Sequence, residues 1–370
     1  MANKAVTFQN QLNPDFAKEV KARVKAYFTE NGISQHANRA MVIKTITIFG
    51  VYFGSYLLLF TGWFPLWGMW ILSVLMGIAM AGIGFSIAHD ALHGAYSENP
   101  RVNQWLGYGF DVLGANGYIW KITHNIIHHT YTNIHGHDED LEVAEFIRLS
   151  PGMNYHWIHR FQHVLAFFAY SFATLFWMFI KDYKYFFSSE LGPYENKQHP
   201  VKEWAFLFLS KAITYSYQIV LPLIFLDITF TQFLIGFLTA HMTAGLILGV
   251  IFQLAHVVEE TDHPTQNEKG FIENAWFVHQ METTNNFARS NKFLNWYIGG
   301  LNYQIEHHLF PRVCSIHYEN ISPIVEDVAK KHGIVYNNHE TLFQAIRSHY
   351  RTLKKFGRKD YVFEYQRAAS

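Results

Sequence analysis

TITIFGVYFGSYLLLFTGWFPLWGMWILSVLMGIAMAGIGFSIAHDALH, residues 45–93, carries no Asp, Glu, Lys or Arg from Thr45 to Ala88 and then meets two histidines four residues apart. Its 44 uncharged residues, 45–88, are enough for two helices of about 20 residues, the length that crosses the hydrocarbon core of a bilayer. Gly62 and Pro65 sit where a tight turn divides them. A hairpin that delivers His89 and His93 to a membrane boundary is the element from which the rest follows.

A second pair reads over 204–226 and 228–255, with Asp227 in the turn between, and Lys211 near the start of the third span is expected to snorkel. The stretch 161–180 is equally free of acidic and basic residues. If it crossed as well, the histidine group at 304–308 would face the opposite side from those at 89–93 and 124–129. Four crossings put all three on one side, so 161–180 is expected to be an interfacial or headpiece-packed helix, and 105–120 to graze the surface. Lys18, Lys21, Arg23, Lys25, Arg39 and Lys44 precede the first span, while the two hairpin tips carry no Lys or Arg. The positive-inside rule then places both termini and all three histidine groups in the cytoplasm.

Composition agrees. Of 370 residues, 50% are hydrophobic and only 16% charged, against about a quarter in soluble domains. Aromatic residues reach 17%, which suits interfacial belts. The formal net charge is zero, so nothing indicates a nucleic-acid partner. Cys314 is the single cysteine, which excludes disulfide frameworks, zinc ribbons and thiolate-held iron–sulfur clusters. The N-terminus lacks the apolar core of a cleavable signal peptide. The expected fold class is an all-α integral membrane protein with four transmembrane helices and a cytoplasmic helical headpiece holding a dimetal site. One domain spans 1–370: an N-terminal segment 1–44, a hairpin 45–88, headpiece 89–203, a hairpin 204–255 and headpiece 256–370.

Three histidine groups carry the chemistry: HDALHG (89–94), HNIIHHTYTN (124–133) and LNYQIEHHLFP (301–311). Residues four apart share a helix face, which pairs His89 with His93 and His124 with His128. His129 is rotated about 100° from His128, so the two can address different ions. Seven histidines leave two ions short of a full shell, and His256, at the end of the last span, is the expected eighth. Neutral imidazole is a ligand for iron, copper, zinc and nickel. Gln304 shares the face of His307 and His308, and a direct or water-mediated metal contact is open to it. Asp90, Asp138, Asp140, Glu306 and His279 are candidates for orienting the ligand rings. His135, His137 and His317 read as loop, structural or ring-orienting residues, and His163 and His241 as hydrogen-bonded core residues.

On these motifs the chain resembles the membrane-bound fatty acid desaturases, from His89 to about Tyr336. A third group opening with Gln304 instead of His is similar to the front-end subgroup, which inserts a double bond between an existing one and the carboxyl end (Δ5/Δ6-like). The resemblance implies two non-haem iron ions, O2 as co-substrate, four transmembrane helices and a fatty acyl substrate linked to CoA, a carrier protein or a lipid. No His-Pro-Gly-Gly haem motif of a fused cytochrome b5 occurs, so electrons are expected from a separate donor such as ferredoxin or cytochrome b5 with its reductase. The absence of that fusion points to a bacterial inner membrane rather than endoplasmic reticulum. In stearoyl-CoA-type members an Asn four residues before the His of the last span holds a metal-bound water; Phe252 stands there in this chain.

Trp120, Phe252, Trp276, Phe277 and Trp296 are candidates for lining an acyl channel, and Arg289, Lys292 and Arg312 for gripping an anionic headgroup. Three other functions compete. A hydroxylase or monooxygenase with similar histidine groups differs only in retaining oxygen in the product. A membrane zinc hydrolase wants fewer histidines, and HExxH is absent. A metal transporter wants ionisable groups near mid-membrane, where only His241 sits.

Overall fold

The computed structural model describes residues 6–141, 145–195, 198–267 and 269–361. Four helices are long and apolar enough to cross a membrane: Arg39–Leu59, Leu66–Leu92, Val201–Phe225 and Phe230–His256. The first begins at Arg39, so Lys44 lies within it. That lysine is not a flanking charge; it is buried and its Nζ donates to the carbonyl of Trp296 at 3.2 Å. The two hairpin turns contain Gly62 with left-handed φ and Asp227. The second and fourth spans pack closely, because Gly77 has no side chain to hold off the Ala240 carbonyl and Thr243, the small-residue contact by which membrane helices approach.

Lys211 and the stretch 161–180 also depart from expectation, because their buried partners are remote along the chain. Lys211 does not snorkel. Its Nζ is buried and donates to the carbonyls of Gly114 (2.6 Å), Trp177 (3.1 Å) and Met178 (3.1 Å) and to Asp182 Oδ2 (2.7 Å). The stretch 161–180, expected as one interfacial or headpiece-packed helix, is not a single helix. It is a pair, Trp157–Tyr170 and Ala173–Phe187, bent by 71°. The bend wedges against the fourth span at Gly245 and Gly249; a Cβ on Gly249 would stand 2.6 Å from Tyr170 Cβ. Thr174 reaches His241, donating to its carbonyl at 2.9 Å and meeting its Nδ1 at 3.1 Å. His241 is fifteen residues before His256, roughly 22 Å along a helix, so the bend packs well away from the histidine-bearing end of the fourth span.

The remaining chain builds a cap beside the span ends. Pro14–Glu30 buries Phe16, Val20, Val24 and Phe28, four residues apart, against Ile321, Val325 and Val328 of Tyr318–Lys331. Leu342–Phe356 packs on Trp157–Tyr170, where His349 lies between Tyr170 Oη (3.0 Å) and the Val257 carbonyl (2.7 Å). Strands are confined to three two-residue pairs among the described residues. Two helices lose their α winding at the histidine groups: the second span passes through an i→i+5 segment at Ile83–Ala88, just before His89, and Lys121–His128, which carries His124 and His128, is wound the same way.

Candidate metal centre

Four separate segments bring eight imidazoles together. His89 lies in the last turn of the second span, followed by His93 as its cap, and His256 closes the fourth span. His124 and His128 lie on the wide segment Lys121–His128, and His129 opens the short α turn after it. His307 and His308 occupy Gln304–Leu309. That last helix is pressed onto the first histidine group by the turn Gly299–Gly300, both at left-handed φ (65° and 66°). A Cβ on Gly299 would meet Ser86 Cα at 2.6 Å, so only glycine lets the two segments touch. Ser86 Oγ donates to the Tyr297 carbonyl at 2.9 Å across the same contact.

The eight rings form two lobes joined by one residue. Ring nitrogens of His89, His93, His124 and His307 lie within 4.8 Å of one another, and so do those of His128, His256 and His308. His129 stands between the lobes, its ring 4.6 Å from that of His307 and 4.4 Å from that of His308. All eight histidines are buried. Each has at least one buried ring nitrogen with no hydrogen-bond partner: Nδ1 of His89, both nitrogens of His129, and Nε2 of the other six. Burying so many unpaired polar atoms is costly. Metal ions in the two lobes would satisfy them, and an all-nitrogen donor set suits first-row transition metals.

Five of the rings are aimed by a contact at the other nitrogen, Nδ1. Asp140 Oδ2 holds His124 (3.2 Å) and Asp138 Oδ2 holds His128 (3.0 Å). The Thr283 carbonyl stands 3.3 Å from His256, Tyr318 Oη 3.2 Å from His307, and Gln280 Oε1 2.7 Å from His308. A proton fixed on Nδ1 leaves the Nε2 lone pair free for a ligand bond. Burial, reinforced by neighbouring imidazoles, holds His93, His124, His129, His307 and His308 well below the ordinary histidine range, so they are neutral at pH 7. For His128 burial acts in the same direction, but the Asp138 carboxylate outweighs it and pushes the ring up.

Comparison with known proteins decides the lineage. A family model described as "Fatty acid desaturase" matches residues 61–339. The chain belongs to the fatty acid desaturase family. It is 36% identical over 353 residues to the sn-1 linoleoyl-lipid 6-desaturase of Arthrospira platensis, covering 95% of this chain and 94% of that one. It is 37% identical over 354 residues to the protein of the same name from Synechocystis sp. (93% and 96% covered). Identity to the acyl-lipid (8-3)-desaturase of Physcomitrium patens is 34% over 355 residues (93% and 72%). The chain is accordingly an oxidoreductase of this family.

In the desaturase two of the expected ring-orienting carboxylates do other work. Asp90 Oδ2 accepts from the Ser315 backbone (2.9 Å), Ser315 Oγ (2.7 Å) and Cys314 Sγ (3.2 Å), and Oδ1 stops 3.7 Å short of His89 Nδ1. Glu306 accepts from Asn286 Nδ2 (2.8 Å) and Tyr336 Oη (2.7 Å), not from a ring. Both carboxylates adjoin a ligand candidate in sequence, and the helical step of about 100° turns them away from its face. His279 lies outside the two lobes; its ring packs 5.0 Å from Phe8. Gln280, Thr283 and Tyr318 orient rings without any sequence signal, since each comes from a segment distant from the histidine it meets.

A cavity of about 260 Å³ opens beside the first lobe, lined by His89, His124 and His307 together with Trp120, Phe252 and Gln304. The rest of its wall is largely apolar. Trp120 stacks on His124 at 4.3 Å. The other channel candidates lie elsewhere: Trp276 donates its indole N–H to the His129 carbonyl (3.2 Å), Phe277 packs against the N-terminal helix, and Trp296 is partly exposed. Arg289 is engaged by Glu326 (2.8 Å), Ser322 (3.0 Å) and Asn338 (3.1 Å), which removes it as a free headgroup clamp.

Proposed function

We propose that the protein is a front-end desaturase of lipid-linked acyl chains. It removes two hydrogens from adjacent methylenes, with two iron ions held by His89, His93, His124, His128, His129, His256, His307 and His308. Electrons come from a separate donor such as ferredoxin or cytochrome b5 with its reductase. The observation that carries this reading is the set of buried, unpartnered imidazole nitrogens facing one another beside an apolar cavity. The lipid-linked substrate and the position of the new bond are supported by relatives named sn-1 linoleoyl-lipid 6-desaturase and acyl-lipid (8-3)-desaturase.

Iron bound there supplies, with O2, an oxidant strong enough for unactivated C–H bonds, which neither acid–base nor nucleophilic side chains can break. The chain's own residues do the remainder. Asp138, Asp140, Gln280 and Tyr318 fix the tautomers and planes of the ligand rings. Trp120 and Phe252 flank the first lobe and keep water from it. A narrow apolar cavity holds one C–C bond of the chain against the site, so much of the rate comes from positioning. The second and fourth spans both end in ligands, and with the basic N-terminal flank this favours a centre on the cytoplasmic face of the membrane.

The test is expression in a host poor in desaturases, with mass-spectrometric location of any new double bond and metal analysis of the purified protein. A new double bond in membrane lipids with about two irons per chain is expected. A hydroxylated product carrying oxygen from labelled O2, or two zincs with no competent iron, would replace this reading.

A further inference from the structure

One ammonium in the cavity wall has no part in the chemistry above. Lys181, on Ala173–Phe187, is 6% exposed and shares the cavity with His89, His124 and His307. Its Nζ stands 3.7 Å from Asp140 Oδ1, beyond hydrogen-bond range, with the rings of Trp177 and Tyr185 5.7 and 5.3 Å away. Among the described residues no acceptor lies within hydrogen-bond distance of it. The contrast is Lys211, whose Nζ meets four acceptors at 2.6–3.1 Å. An ammonium has three donors, and a loose ion pair and two ring faces leave all three without a hydrogen-bond acceptor.

The neighbourhood says what would compensate it. A second, polar cavity of about 710 Å³ is lined by Glu139, Glu145, His156, Lys184 and Tyr185. The apolar cavity is lined by Asp140, Phe146 and Lys181. Glu139 adjoins Asp140 in the chain, Glu145 adjoins Phe146, and Lys184 and Tyr185 are one helical turn beyond Lys181. Lys181 thus stands in the wall of the apolar cavity, one helical turn from Lys184 and Tyr185 of the polar one. A lipid-linked acyl chain has the matching chemistry: an apolar tail, a polar head and one ester carbonyl between them.

We propose that Lys181 is a specificity-determining anchor that donates a hydrogen bond to the ester carbonyl oxygen of the bound acyl lipid. This rests on the desaturase acting on lipid-linked chains. Asp140 lies between the ammonium and the centre, 3.7 Å from Lys181 Nζ and 3.2 Å from His124 Nδ1. The ester carbonyl then sits one carboxylate and one imidazole away from the ligand nitrogens, a span filled by a few methylenes. The double bond is counted from the carboxyl end because that end is held. Tail length then does not alter the position, since the tail runs on past the histidines.

The experiment compares wild type, Lys181→Met and Lys181→Arg in a host whose membrane lipids carry linoleoyl chains. It reads positional isomers, rate at low lipid substrate, and metal content of purified protein. Lys181→Met should keep its metals, lose at least ten-fold in rate at low substrate, and scatter the new bond over neighbouring positions. Lys181→Arg, with a longer and planar donor, should return a single position that is displaced from the wild-type one. A wild-type isomer at wild-type rate in Lys181→Met overturns the anchor. So does loss of metal with an unchanged isomer, which would make Lys181 merely the support of Asp140. If Lys181→Met does not accumulate or turn over, a wild-type isomer at wild-type rate from Lys181→Arg is the overturning result. A wild-type enzyme that makes no double bond at all refutes the proposed function instead.

Discussion

Asp138→Asn tests the reading of the centre most sharply, because the substitution keeps shape and changes only which atoms can accept. Three N–H groups converge on the Asp138 carboxylate. His128 Nδ1 lies 3.1 and 3.0 Å from its two oxygens, the Asp140 amide 3.1 Å from Oδ1 and the Asn133 amide 3.0 Å from Oδ2. An asparagine has one acceptor oxygen, so its NH2 must face one of the backbone amides. The strain of that clash, or of an amide left unpaired in a buried site, costs about 1–3 kcal/mol of stability. If His128 also pairs with the NH2 and not with the remaining oxygen, the ring must carry its proton on Nε2, the nitrogen that faces the cluster. Loss of such an orienting carboxylate costs roughly 10–100-fold in metal affinity, or about 1.4–2.7 kcal/mol. The assay is competition for metal against a chelator in detergent, with thermal unfolding and lipid product measured on the same preparation. A variant that binds both ions within about three-fold of wild type and desaturates at the wild-type rate would refute the role given to Asp138.

Ala at His89, His128 or His307 should each abolish the product while the protein still accumulates, read by lipid analysis and metal content; near-normal turnover in all three would remove the ligand assignment. Gly299→Ala should cost more than Gly270→Ala. Both sit at left-handed φ, worth roughly 1–2 kcal/mol, but Gly270 faces open space whereas Gly299 abuts Ser86, adding about 1–3 kcal/mol of overpacking. Equal shifts in melting temperature would contradict that contact. Burial, and next the charge of Asp182, raise the Asp111 carboxyl from 3.8 to about 8. The fold favours its protonated form, so this stability is full at acidic pH and is lost as pH rises toward about 8. Melting temperature in detergent should fall over that window in wild type and respond less in Asp111→Asn; parallel curves would exclude Asp111 as the cause.

The apolar helices and the histidines that meet were legible because each is a local pattern: an uncharged run, or histidines at helical spacing. His256 was legible because a histidine at the end of a span must share the depth of the others. Asp138 and Asp140 were legible because a carboxylate in the loop after a histidine group can fold back on it. Asp90 and Glu306 were misread for the opposite reason: adjacency within a helix points side chains apart. Lys44 and Lys211 were misread as boundary charges because their acceptors, Trp296, Gly114 and Asp182, are remote along the chain. The bend at 171–172 depends on glycines at 245 and 249 of another helix, a complementarity that no window of sequence contains.

The wide windings at Ile83–Ala88 and Lys121–His128 have a genetic corollary. An i→i+5 turn accommodates one more residue than the α turn it replaces. That surplus sets the angular phase of every side chain downstream. Restoring ordinary pitch with every residue retained would swing the histidines downstream by about 100°, with the composition of the motif intact. Loss of one residue between 121 and 123 would instead absorb the surplus and leave that phase nearly unchanged.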